Sequence, residues 1–124
     1  MKQINEKLIL AYGLTDTEEE KLNSLLSKQG TVPCKIIQKN MAEQTIKEVL
    51  CNIEVVESKT ELPFEKLLLF NNFKDKELYD LIDSIRKIKS ADTILAAVTQ
   101  TSINWTVSYL FEHLLEEREA HRKR

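Results

Sequence analysis

The sequence predicts an α/β domain in which a β-α-β-α unit is used twice, giving a mainly parallel four-stranded sheet packed with helices. Three observations predict it. Lys7-Leu8-Ile9-Leu10-Ala11-Tyr12-Gly13-Leu14 is answered by Lys66-Leu67-Leu68-Leu69-Phe70-Asn71-Asn72-Phe73. Each apolar run leads into an acidic helix start, Asp16 with Glu18 and then Asp75 with Glu77. Leu81 then answers Leu22 at the same offset of 59 (67 − 8 and 81 − 22). A recurring supersecondary unit is the signature of a repeated architecture.

The first repeat spans 7–51, a linker 52–65 and the second repeat 66–119, all within one domain of residues 1–124. Leu8 to Ala11 carry no polar alternation and read as a buried strand. Gly13 supplies the turn, and Thr15-Asp16-Thr17-Glu18 is a capping box opening a helix with Leu22, Leu25 and Leu26 inward. Gly30 closes that helix. Pro33 sits where its missing N–H does least harm, before a strand over Cys34–Gln38. Thr45-Ile46-Lys47-Glu48 is a second capping box, with Val49 and Leu50 as its apolar face.

Residues 52–63 are polar and read as the linker, although Ile53, Val55 and Val56 offer a short edge strand instead. The second repeat opens with a strand over 66–70. A helix over 75–87 follows, with Leu78, Leu81, Ile82 and Ile85 at helical spacing, then a strand over 93–98. A last helix carries Val107, Leu110, Phe111, Leu114 and Leu115 on one side. Thr45–Leu50 aligns with Thr106–Phe111 at an offset of 61, so two extra residues are expected within Thr99–Trp105.

Strands joined through helices pair in parallel by right-handed crossovers, and the favoured strand order is 2-1-3-4. A ferredoxin-like α+β arrangement is the alternative, favoured if 53–57 form a strand. In the parallel sheet, Tyr12, Gly13, Gln38, Asn40, Asn71, Asn72, Thr99, Gln100 and Thr101 would share one rim at the strand carboxyl ends, the usual place for a ligand.

Net charge is −2, from 18 Lys+Arg against 20 Asp+Glu, which lacks the footprint of a dedicated nucleic-acid binder. No apolar run reaches the ~20 residues of a membrane span. No small-residue cleavage site follows the start, so no signal peptide is read. Cys34 and Cys51 are expected as reduced thiols, and the setting as cytoplasmic.

Thr99 to Trp105 groups hydroxyls, amides and one indole after a strand. Thr99, Thr101, Asn104 and Trp105, with Asn71, are the candidate residues for holding a polar ligand or a peptide. The competing reading makes Trp105 a hydrophobic staple onto Leu110 and the hydroxyls helix caps. Asn71-Asn72 also reads simply as a turn. His113, Glu117 and His121 share one helical face and two ligand types of zinc, but a solvated ion-pair row explains them as well. With glycines only at 13 and 30, neither phosphate-binding loop can be built. No catalytic residue, metal site or cofactor is assigned.

Leu67-Leu68-Leu69-Phe70-Asn71-Asn72-Phe73, Glu77-Leu78, Ala97-Val98-Thr99 and Asn104-Trp105-Thr106-Val107 leading into Leu110 resemble a small bacterial family. It is domain of unknown function 3783, found mainly in anaerobic Firmicutes. The resemblance covers roughly Lys66 to Glu117 and implies a bacterial cytoplasmic α/β protein, with no activity, substrate or cofactor attached. A glutamate is expected in the family where Tyr109 stands, completing a capping box. The expected function is a non-enzymatic interaction or regulatory module binding a protein or polar ligand at the rim, with the last helix able to make a homodimer. A small-molecule binder or enzyme using the same rim is the alternative.

Overall fold

The computed structural model describes residues 7–28, 33–51, 53, 60–88 and 93–122. Their order is β1 (Leu8–Tyr12), α1 (Asp16–Lys28), β2 (Cys34–Ile36), a 3₁₀ turn (Lys39–Met41) and α2 (Ile46–Leu50). It continues with β3 (Leu67–Asn71), α3 (Asp75–Ile88), β4 (Ile94–Ala97), a second 3₁₀ turn (Ser102–Asn104) and α4 (Val107–Arg122). The protein is therefore α/β. Gly30 and linker residues 52 and 54–59 lie outside the described residues, and Ile53 is exposed and in no strand.

The strand order is β2-β1-β3-β4, as the sequence predicts. Within each β-α-β stretch the pairing is parallel, with Ile9 opposite Cys34 and Leu68 opposite Leu95. The central pair corrects the expectation. β1 and β3 run antiparallel, with Ile9 opposite Phe70 and Ala11 opposite Leu68. A helical crossover imposes direction only on the strands it joins, and nothing imposes one on the passage from α2 to β3. The sheet is mixed and mostly parallel. The carboxyl ends of β1 and β2 therefore face the opposite way from those of β3 and β4, and the single rim shared by all four strands does not exist. The ferredoxin-like alternative also falls, because β1 and β2 are direct neighbours rather than split by another strand.

The chain forms two compact units, and each draws on two separate stretches of sequence. One is Met1–Ile37 with Phe64–Val98, the other Gln38–Pro63 with Thr99–Arg124. The first is the sheet unit. Its core joins Ile9, Ala11, Leu22, Leu26, Leu68, Phe70, Leu81 and Ile85. These eight are four pairs at the offset of 59 (68 − 9, 70 − 11, 81 − 22, 85 − 26). Burying each such side chain is worth about 1.5–3 kcal/mol, so this cluster anchors the unit.

Leu10 pairs with Leu69, its own counterpart, at the middle of the antiparallel ladder. The ion pairs are reciprocal too: Lys7 reaches Glu77, and Lys66 reaches Glu18 at 2.8 Å. Lys7 also lies 5.7 Å from the centre of the Phe73 ring. The hydrogen bond from Lys7, helped by the Lys74 backbone N–H, holds the Glu77 carboxyl below its ordinary range.

The turns that end β1 and β3 have positive φ, 80° at Gly13 and 64° at Asn72. At Gly13 a Cβ would also meet the Glu65 carbonyl oxygen at 2.5 Å, so only glycine fits. Asn72 tolerates the left-handed region, as its turn reading requires. Thr15 and Glu18 close the expected capping box at 2.9 and 3.2 Å.

The second is the helical unit. Its buried apolar residues include Ile46, Val49, Leu50, Val107, Leu110 and Phe111, three pairs at an offset of 61 (107 − 46, 110 − 49, 111 − 50). The Ile46 N–H donates to the Trp105 carbonyl and the Val107 N–H to the Gln44 carbonyl, each at 2.9 Å. Thr45 and Thr106 form an antiparallel bridge between these two bonds.

The strand registers also bear on the place expected for the two extra residues. The β1–β2 register differs by 25 (34 − 9) and that of β3–β4 by 27 (95 − 68). The extras therefore lie before Ile94, between α3's start and β4, and not within Thr99–Trp105.

Candidate functional site

The candidate site is built in the helical unit, on the loop after β4 and the α4 helix. Thr99 and Ser102 lock the loop by a mutual exchange. The Ser102 N–H donates to Thr99 Oγ1 and the Thr99 N–H to Ser102 Oγ, both at 2.9 Å, and the two hydroxyls lie 3.1 Å apart. Ser102 is buried here. This is capping chemistry at a 3₁₀ turn, so the Thr99 hydroxyl shapes the loop. Gln100, Thr101 and Asn104 remain exposed, and Asn104 Nδ2 sits 3.5 Å from the Gln100 carbonyl.

Thr106 begins α4. Its Oγ1 accepts the Tyr109 N–H at 3.1 Å. Trp105, just before it, is half-buried. Its indole meets Tyr109 edge-on, with ring centres 4.9 Å apart, and His113 at 5.0 Å. Both are favourable aromatic geometries. His113 Nε2 in turn lies 3.1 Å from Glu117 Oε1. The residues 105, 109, 113 and 117 thus make a continuous row at spacing four, along one helix face. Tyr109 is 52% exposed. Glu112, Glu116, Glu117 and Glu119 are exposed on the same helix.

At an offset of 61 the matching positions around α2 carry different side chains. Glu48 stands where Tyr109 does (109 − 61), and its carboxylate accepts the Thr45 N–H at 2.9 Å to complete the α2 capping box. Gln44 stands where Trp105 does, is buried, and donates from Nε2 to the Ile53 carbonyl at 3.2 Å. At α4 the position three after the capping threonine holds a phenol ring, 52% exposed, in place of a carboxylate. The cost is the reciprocal half of the box, about 0.5–2 kcal/mol for cap residues in general.

Of the sequence-predicted residues, Thr99, Thr101, Asn104 and Trp105 come together on this loop. Asn71 is the last residue of β3 in the sheet unit, opposite Leu8, and is only 4% exposed. Tyr109 and His113 were missed as partners of Trp105, although the interval of four from 105 to 117 was there to read. Trp105 makes ring contacts with Tyr109 and His113.

Cys34 and Cys51 are both half-buried. Cys34 packs against the sheet unit's core, and the Cys51 N–H closes α2 on the Lys47 carbonyl at 3.0 Å. Among the described residues no group of three His, Cys, Asp or Glu gathers as a metal site. The His121 side chain lies outside them. No helix among the described residues is long and apolar enough to cross a membrane.

Fold and site together define a small α/β protein with a mixed sheet and an aromatic, acidic helix face. Residues 66–120 match the family model described as Domain of unknown function (DUF3783), the stretch over which the resemblance was expected. No curated protein and no solved structure matches the chain.

Proposed function

We propose that this protein is a non-enzymatic interaction module that binds a basic segment of a partner protein along the outer face of α4. The carrying observation is the Trp105–Tyr109–His113 row, which presents ring faces at helical spacing beside exposed carboxylates. Guanidinium groups stack on such rings and pair with carboxylates, so the partner chemistry that fits is arginine-bearing peptide. Thr101 and Asn104 extend the surface at the loop end, while Thr99 holds that loop in shape. The family resemblance supports a bacterial cytoplasmic setting. The two halves are read as copies of one β-α-β-α unit, supported by core residues that recur at fixed offsets.

Trp105 is the chain's one tryptophan, so its fluorescence reports binding directly. A short alternating Arg-Gly peptide should give a saturable change, with the Lys-Gly peptide weaker and Glu-Gly silent. Tyr109→Ala should weaken binding about tenfold, the scale of one lost stacking contact. An equal response to the acidic peptide, or an unchanged affinity in Tyr109→Ala, would sink the reading.

A further inference from the structure

We infer that residues 66–120, the stretch matched by the family model, are not a self-standing domain in this chain, and that residues 7–51 are a second, diverged copy serving as its built-in partner. The inference rests on the reading of the halves as copies and goes beyond it. No comparison assigns residues 7–51 to any family; the geometry does.

A two-fold interface has one diagnostic property: if residue i of one copy meets residue j of the other, then j of the first meets i of the second. The sheet unit has this property at three levels. Its ladder pairs Leu10 with Leu69, while Ile9–Phe70 and Ala11–Leu68 exchange places about that centre. Its ion pairs exchange likewise, Lys7 with Glu77 and Lys66 with Glu18. Its buried core is made of four matched pairs, half from each copy. The helical unit shows the same reciprocity by itself, in the Ile46–Trp105 and Val107–Gln44 backbone bonds around the Thr45–Thr106 bridge. Chance pairing of unrelated segments has no reason to reproduce this exchange twice.

The consequence for residues 66–120 is physical. Alone, β3 would expose the backbone edge that β1 now fills. Leu68, Phe70, Leu81 and Ile85 would lose the four side chains that complete their cluster. Val107 would lose its acceptor at Gln44. The segment needs a second copy of its own kind, and in this protein the second copy is covalently attached.

The test uses the full chain with a specific protease site inserted after Glu61, in a stretch without regular structure. After cleavage the two fragments should co-elute as one folded species, or, if they part, both should unfold. A fragment 62–124 that separates and stays folded as a monomer would overturn the inference. A second measurement needs no cut. In intact Leu22→Ala, amide protection should fall by a similar factor in α3 and β3 as in α1 and β1; retained protection confined to the second copy would overturn it. The underlying reading of the halves as copies fails separately, if Leu22→Ala and Leu81→Ala shift the melting temperature very unequally while the nicked chain still holds together.

Discussion

Helices α2 and α4 begin alike and end differently. Each is capped by a threonine, Thr45 or Thr106, and each buries three apolar residues at matching places in its first two turns. α2 stops after five residues, whereas α4 runs for sixteen. The shared part is the part that packs. The differences are Tyr109 against Glu48, Trp105 against the buried Gln44, and the further turns of helix that bring His113 and Glu117 into line. The two helices thus differ in length and in the residues around their caps, while their buried residues match.

The largest effects should confirm that the buried part is equivalent. Leu50→Ala and Phe111→Ala remove matched core residues and should cost about 2–5 and 3–5 kcal/mol, read by urea unfolding. If Leu50→Ala cost less than about 1 kcal/mol, α2 would be an ornament and the comparison would break.

The middle effect separates stability from binding. Tyr109→Glu restores the carboxylate that Glu48 provides in the first repeat, and should keep or raise the melting temperature through a gain near 0.5–1 kcal/mol. The same variant should lose the Arg-Gly peptide response. A variant that melts lower and still binds would contradict both halves of the argument.

The smallest effect concerns the reciprocal ion pairs of the sheet unit. The Glu77 carboxyl titrates below its usual value because Lys7 and the Lys74 N–H hold its charged form. A depressed carboxylate contributes stability that is present above the ordinary glutamate range and is lost as pH falls through the lowered value. Acid unfolding of Glu77→Gln should therefore depend less steeply on pH below about 4 than the wild type. The two curves should converge at the acid end. Identical slopes would mean that the pair is fully screened.

Much of the framework was legible because it is local. The strand order followed from helices lying between strands, and the capping boxes at Thr15 and Thr45 are fixed by residues three apart. Asn72 and Gly13 announced their turns as residue types that permit positive φ. The direction of β3 against β1 was not legible, since the linker between repeats carries no pattern that sets it. The place of the two extra residues was equally hidden. Matching helix starts bracket them between Leu81 and Thr106, and only the β3–β4 register puts them before Ile94. Asn71 looked like an exposed turn residue, but it completes the β3 ladder opposite Leu8 and is buried there. Trp105 was seen alone, because its row becomes visible only when the helix beginning at Thr106 is extended through Tyr109 and His113.

The strand order has one more effect. The long strands β1 and β3 occupy the middle of the sheet, and the outermost positions fall to β2 and β4, of three and four residues. Exposed strand borders are templates for fibril growth, and brief ones offer an incoming chain few hydrogen bonds. With β2 on one flank and β4 on the other, a short strand guards each side against polymerisation.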